Sequence, residues 1–174
     1  DAGATTFELD AVAFDIRSVS WEGKAAAFRY DGQRIEVTLP AGAEAGELRV
    51  EYEAAPRRGL YFLAPDEHVH GRPRQVWPQC QEEDGRHWFP CHDAPHVKMT
   101  TELSVEVPHG WRALSNGELV EESTPEGGPW RFHYKLDEPQ PSYLMTLVAG
   151  EFSVLEDTAG TVPLAYWVPL GRED

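Results

Sequence analysis

The chain has 174 residues, about the size of one domain, and its 30 acidic against 15 basic residues give a formal charge of −15. A surface of that sign repels phosphate backbones and anionic headgroups, so neither a nucleic acid nor a membrane surface is an expected partner. Two cysteines, Cys80 and Cys91, are too few for the disulfide framework of a small secreted domain. One bridge between them is arithmetically possible, but reduced thiols in a cytoplasmic protein are the expectation. No apolar run approaches the ~18 residues of a spanning helix, and no charged-then-apolar start marks a signal peptide. Asp1 opens directly into a strand-like Thr5-Thr6-Phe7-Glu8-Leu9, which predicts a fragment cut from a longer protein.

In chain order, β-leaning runs follow at 14–21 and 25–30, with turn chemistry at Trp21-Glu22-Gly23-Lys24 between them. Asp31-Gly32 is a two-residue hairpin candidate, because both central residues of a type I′ turn need φ above zero. The next run, 33–39, alternates through Ile35, Val37 and Leu39. Segment 47–53 puts Leu48, Val50 and Tyr52 on one face and charges on the other, the pattern of an antiparallel strand buried on one side. A further run lies at 59–63. Beyond the loop described below, 101–107 and 131–136 alternate again, with Asn116-Gly117 as a second hairpin candidate. Runs at 143–148, 151–155 and 162–168 close the chain, and Pro163 suits an edge strand. No segment of a dozen residues carries a helical stripe. The fold class predicted is all-β: an antiparallel β-sandwich or saddle-shaped set of sheets with one long loop, residues 1–174 forming a single β-rich domain.

The exception to this grammar is 65–95, where alternation fades for about thirty residues, a length that in a compact domain points to function. Its densest part, Trp77 to Pro95, gathers both cysteines, two histidines, an arginine and a run of carboxamides and carboxylates from Gln79 to Asp84. Zinc needs about four converging ligands, yet Cys80 and Cys91 are eleven positions apart, and the Asp-Ala-Pro between His92 and His96 discourages a helix. His-Glu-x-x-His and Gly-x-Ser-x-Gly are both absent, so neither catalytic nor metal-binding residues are predicted in this chain. Cys91 beside His92 is read as a small buried thiol, since sequence neighbours on a strand face opposite ways. The amides remain. In an extended segment Gln79 and Gln81 share a face and could hold a substrate's amine or backbone, or simply bond within their own loop.

The positions Gln79, Gln81, Arg86, Phe89, Pro90, Cys91, Asp93 and Pro95 resemble a run in the N-terminal domains of the aminopeptidase N-type family of zinc metallopeptidases. Gly59-Leu60-Tyr61, Ala113-Leu114-Ser115-Asn116-Gly117, Pro141-Ser142-Tyr143-Leu144 and Val148-Ala149-Gly150-Glu151-Phe152 resemble further motifs of that family in the same order, covering roughly 30–155. The resemblance implies a β-rich saddle that roofs the active site of a zinc aminopeptidase. Zinc would then be bound by a separate thermolysin-like domain, which is the expected partner, and this fragment would bind none. It also implies that Gln81 helps hold the free N-terminal amine of a peptide substrate and that Gln79 lines the adjoining specificity pocket. Gln81 departs from the Glu commoner at that position. A noncatalytic β-sandwich serving as a protein-interaction scaffold is the alternative the residues leave open.

Overall fold

A computed structural model describes residues 5–68 and 70–173; Asp1 and Val69, which fall inside the expectations above, lie outside the described residues. Strands dominate. Among the described residues the helical pieces are two short 3-10 turns, Gly85–His87 and Ser142–Leu144. The chain divides into two compact units, one of residues 1–61, 79–99 and 140–145 and the other of 62–78, 100–139 and 146–174.

In the first unit, β1 (Thr5–Asp10), β4 (Phe28–Tyr30) and β5 (Arg34–Leu39) form a sheet in the order β1-β5-β4. A second sheet is ordered β3-β2-β6, from β2 (Asp15–Trp21), β3 (Lys24–Ala25) and β6 (Leu48–Glu53). Period-2 patterning decides what each buries. Ile35, Val37 and Leu39 of β5 are buried and join Ala11, Phe14 and Val19 in one cluster, against which Leu48, Val50 and Tyr52 of β6 pack. Full burial of Ile35 or Val37 contributes roughly 1.5–3 kcal/mol each. The alternation at 33–39 and 47–53 is thus the core of this unit.

The hairpin between β4 and β5 forms, but one residue along from where the dipeptide places it. Tyr30 opposes Ile35, so Gly32-Gln33 is the loop. Asp31 flanks it, its carboxylate accepting from the backbone N of Gln33 and of Arg34, each at 2.7 Å. Gly32 alone has positive φ, so the type I′ requirement is not met.

The second unit takes in the end of β7 (Gly59–Leu63) and most of β8 (Gln75–Gln79) and β9 (Lys98–Val107), followed by β10 (Arg112–Ser115) and β11 (Glu118–Ser123). β12 (Trp130–Pro141), β13 (Leu147–Gly150), β14 (Phe152–Ala159) and β15 (Val162–Pro169) complete it. Its sheets are ordered β10-β13-β8-β7, β11-β12-β9 and β14-β15. Phe132 and Tyr134 of β12 are buried, and the Tyr134 hydroxyl donates to the Ala113 carbonyl at 2.9 Å.

Three expectations are corrected here. Asn116-Gly117 is not a hairpin: β10 pairs with β13 and β11 with β12, so the dipeptide carries the chain from one sheet to another. Asn116 Oδ1 accepts from the Thr146 backbone N at 2.6 Å, and a Cβ on Gly117 would lie 2.0 Å from the Lys135 carbonyl oxygen. Glycine there serves close backbone approach. The long loop is also interrupted, because β8 lies within it. That strand sits between β13 and β7, and its adjacent Gln75 and Val76 are both buried, so it shows no polar–apolar alternation. The expected strand at 143–148 begins instead as the 3-10 turn Ser142–Leu144, β13 starting only at Leu147. Pro163 does sit on an edge, β15 pairing with β14 alone.

Candidate functional site

The amide-bearing turn belongs to the first unit and is built outward from Cys80. β8 ends at Gln79, and the Asp84 backbone N donates to the Cys80 carbonyl at 2.9 Å, closing a turn over Gln81, Glu82 and Glu83. The Gln81–Glu82 peptide is cis. Beneath the turn, the Cys80 thiol donates to the Gly59 carbonyl at 3.3 Å and accepts from Trp88 Nε1 at 3.2 Å. Gly59 has φ +76°, and a Cβ there would lie 2.1 Å from the Asp84 carbonyl oxygen. The turn can lie this close to β7 only because position 59 has no side chain.

Downstream, the 3-10 turn Gly85–His87 is fastened by one arginine and one carboxylate. Asp93 Oδ2 accepts from the Arg86 backbone N at 3.0 Å and from Arg86 Nε at 3.1 Å, while Asp93 Oδ1 accepts from the Ser142 hydroxyl at 2.6 Å. Arg86 Nη2 donates to the Asp93 carbonyl at 2.9 Å and to Glu83 Oε2 at 2.6 Å. The Asp93 side chain is 0% exposed, so these bonds are what make its burial tolerable. The segment is also stitched to β1: Asp10 and Cys91 exchange backbone bonds at 2.8 and 3.1 Å, and the Val12 N donates to the Arg86 carbonyl at 2.8 Å. The Tyr52 hydroxyl donates to the Trp88 carbonyl at 2.9 Å, and burial pushes its own pKa up to about 12.

Above this scaffold lies an open depression of about 650 Å³, its lining including Arg58, Gln81, Glu82, Glu83, Asp84 and His87. Its charges are mostly spent. Asp84 pairs with Arg58 at 2.9 Å and lies 3.7 Å from His87, and Glu83 pairs with Arg86. Burial, aided by Arg58 and Arg86, lowers the His87 pKa and favours the neutral ring at pH 7. Gln81 is exposed at this depression, and among the described residues its amide has no hydrogen-bond partner. Gln79, also exposed and without a partner among the described residues, is not part of the lining. The chain turns after Cys80, so the extended geometry that would put both amides on one face does not continue through Gln81.

Among the described residues no group of three or more His, Cys, Asp or Glu side chains is placed to hold a metal ion. Burial pushes the Cys80 pKa up to about 11 and that of Cys91 higher still. Both are free and buried, as expected for Cys91. Native thiols should therefore react slowly with a thiol titrant at pH 8 and completely on unfolding; fast, stoichiometric labelling of the folded protein would contradict this burial. The raised Cys80 pKa also carries a sign. It favours the folded state below the unfolded thiol pKa near 8.5, and that contribution is lost as pH rises toward 11.

Sequence reasoning missed the Arg86–Asp93–Ser142 clasp. Its available signal was an arginine and an aspartate bracketing Phe89-Pro90-Cys91, an apolar stretch that takes the intervening chain inward.

Fold and site together define an all-β domain that displays an amide-bearing turn over an open depression. The chain belongs to the peptidase M1 family as its N-terminal domain, whose family profile matches residues 3–144. It is similar to aminopeptidase B of Rattus norvegicus, 33% identical over 132 residues, 74% of this chain and 20% of that protein. Leukotriene A-4 hydrolase of Xenopus laevis is 31% identical over 156 residues, 82% of this chain and 25% of that protein. The chain thus spans a fifth to a quarter of these relatives. In fold it is similar to the M1 zinc metallopeptidase of Deinococcus radiodurans, with TM-score 0.73 and 22% identity over 94% of this chain and 39% of that one. It is also similar to Legionella pneumophila aminopeptidase A in complex with aspartic acid, with TM-score 0.79 and 19% identity over 98% of this chain and 20% of that one.

Proposed function

We propose that this chain is the N-terminal domain of a zinc-dependent aminopeptidase that removes N-terminal residues from peptides, and that it roofs the active site and contacts the substrate's first residue. Family membership and the relatives' names support the reaction class. Zinc supplies Lewis-acid activation of water in such chemistry, and it is held outside this chain, by a thermolysin-like domain that is this domain's partner in the same protein. The same reading places the protein in the cytoplasm, in keeping with two thiols that form no disulfide.

The observation that carries the residue-level reading is the free amide of Gln81. It lies exposed at a depression where Glu83 and Asp84 are paired with arginines while Glu82 has no ion-pair partner among the described residues, and its own oxygen is available to accept from a protonated amine. Orientation of the amine fixes which peptide bond is first. Gln79, a few ångströms of chain away and outside that lining, is assigned to the wall of the adjoining side-chain pocket.

In the whole enzyme, Gln81→Ala should raise KM for aminoacyl substrates about five- to tenfold by removing roughly 1 kcal/mol or more of binding. Gln81→Glu should lower KM by adding charge to the same contact. Gln79→Ala should instead alter the order of preference among first residues. Melting temperatures should stay nearly constant in all three, since neither side chain is part of a core. Unchanged kinetics in both Ala variants would withdraw these roles and favour the interaction-scaffold reading.

A further inference from the structure

We propose that Asp93 is a positioning residue for Gln81, acting through Arg86; this rests on the amine-binding role given to Gln81 above. The distances form a continuous chain. Asp93 Oδ2 holds both the backbone N and Nε of Arg86, at 3.0 and 3.1 Å. Arg86 Nη2 in turn reaches Glu83 Oε2 at 2.6 Å, two residues beyond Gln81. Gln81 and Glu83 lie in the turn closed by Asp84 N on the Cys80 carbonyl, so one guanidinium ties a buried carboxylate to the substrate-facing turn.

Asp93 is itself held on several sides. Its side chain is wholly buried, its second oxygen accepts from Ser142 at 2.6 Å, and its backbone N donates to Asp10 Oδ2 at 3.2 Å. The turn has one other side-chain ion pair with an arginine, Arg58 on its last residue Asp84 at 2.9 Å, and the remaining anchors are backbone bonds and the thiol beneath it. The Asp93–Arg86–Glu83 relay is the connection that ties the turn to a wholly buried carboxylate. The guanidinium meets Asp93 at two points, Nε on the carboxylate and Nη2 on the backbone carbonyl, and such a contact transmits geometry because the guanidinium plane admits few orientations. An amide that must meet an ammonium at hydrogen-bond distance depends on such fixing, and a displacement of ~1 Å is enough to lose it.

The test is a double-mutant cycle in the whole enzyme, with Asp93→Asn, Gln81→Ala and their combination, reading KM and kcat separately for an aminoacyl amide. Asp93→Asn keeps the shape and an acceptor for Arg86 while removing the charge. It should raise KM about three- to tenfold with kcat per folded enzyme nearly unchanged. In the Gln81→Ala background the same substitution should raise KM no further. Ser142→Ala, which removes a single bond to Asp93, serves as the milder variant and should show the same non-additivity with a smaller rise. Equal KM increases with and without Gln81 would mean that Asp93 acts on substrate binding by a route that bypasses Gln81, and would overturn the proposal. So would Asp93→Asn with native KM while Gln81→Ala has its expected effect, an outcome that leaves the role of Gln81 standing. Should Gln81→Ala itself leave KM unchanged, the amine-binding role and this proposal fall together.

Discussion

Arg86→Ala is expected to lower unfolding free energy by about 3–5 kcal/mol, the range for stripping the partner from a buried charge. The variant leaves the Asp93 carboxylate 0% exposed, with the residue-86 backbone N and the Ser142 hydroxyl as its remaining donors. Against a typical total of about 5–15 kcal/mol, that loss is a large fraction. Removing both charges should cost less than removing one. Arg86→Met combined with Asp93→Asn should recover part of the stability, because Asn needs no counter-charge and its amide can still meet Ser142. Urea unfolding of the three proteins measures this. If the double variant is less stable than Arg86→Ala, the cost lies in lost packing and not in the unpaired carboxylate.

Gly59→Ala is expected to affect the site and the fold together. At φ +76° an alanine is strained by roughly 1–2 kcal/mol before any contact is counted. Its Cβ also meets the Asp84 carbonyl oxygen at 2.1 Å, a backbone atom that cannot swing aside as a side chain would. The turn from Cys80 to Asp84 must then lift, taking Gln81 with it, for a total of about 3 kcal/mol. Lower melting temperature and higher KM should appear together. Gly23→Ala is the matched control, since that glycine also has positive φ but a Cβ there meets nothing within 4 Å, and neither it nor its chain neighbours line the depression. It should lower stability without touching KM. A Gly59→Ala enzyme with native KM would show that the turn does not depend on the close approach.

How far the sequence carries depends on which physical signal each element leaves. Strands with one solvated face announce themselves: Ile35, Val37 and Leu39, and Leu48, Val50 and Tyr52, alternate in sequence because one side of each strand is core and the other is water. β8 leaves no such signal. Both Gln75 and Val76 are buried, so the strand is hidden inside what reads as loop. Dipeptide turn rules fail where a side chain does the turning. Asp31 caps its hairpin from outside the loop, and Asn116 bonds across to Thr146 in a link between sheets. In the site, the motif places Gln81, Arg86 and Asp93 within thirteen residues, but spacing alone cannot show that Arg86 and Asp93 face each other while Gln81 is left free. That division comes from the turn after Cys80, a tertiary feature set by Gly59 and the Cys80 thiol.

The most direct measurement is a structure of the whole enzyme with a bound peptide or product amino acid. Gln81 Oε1 should lie about 2.7–3.2 Å from the ligand's α-nitrogen, with the turn held by Arg86 and Asp93 as it is here. A ligand bound for reaction whose amine is held entirely by other residues, with Gln81 turned to solvent, would contradict the proposed role of this domain in substrate recognition.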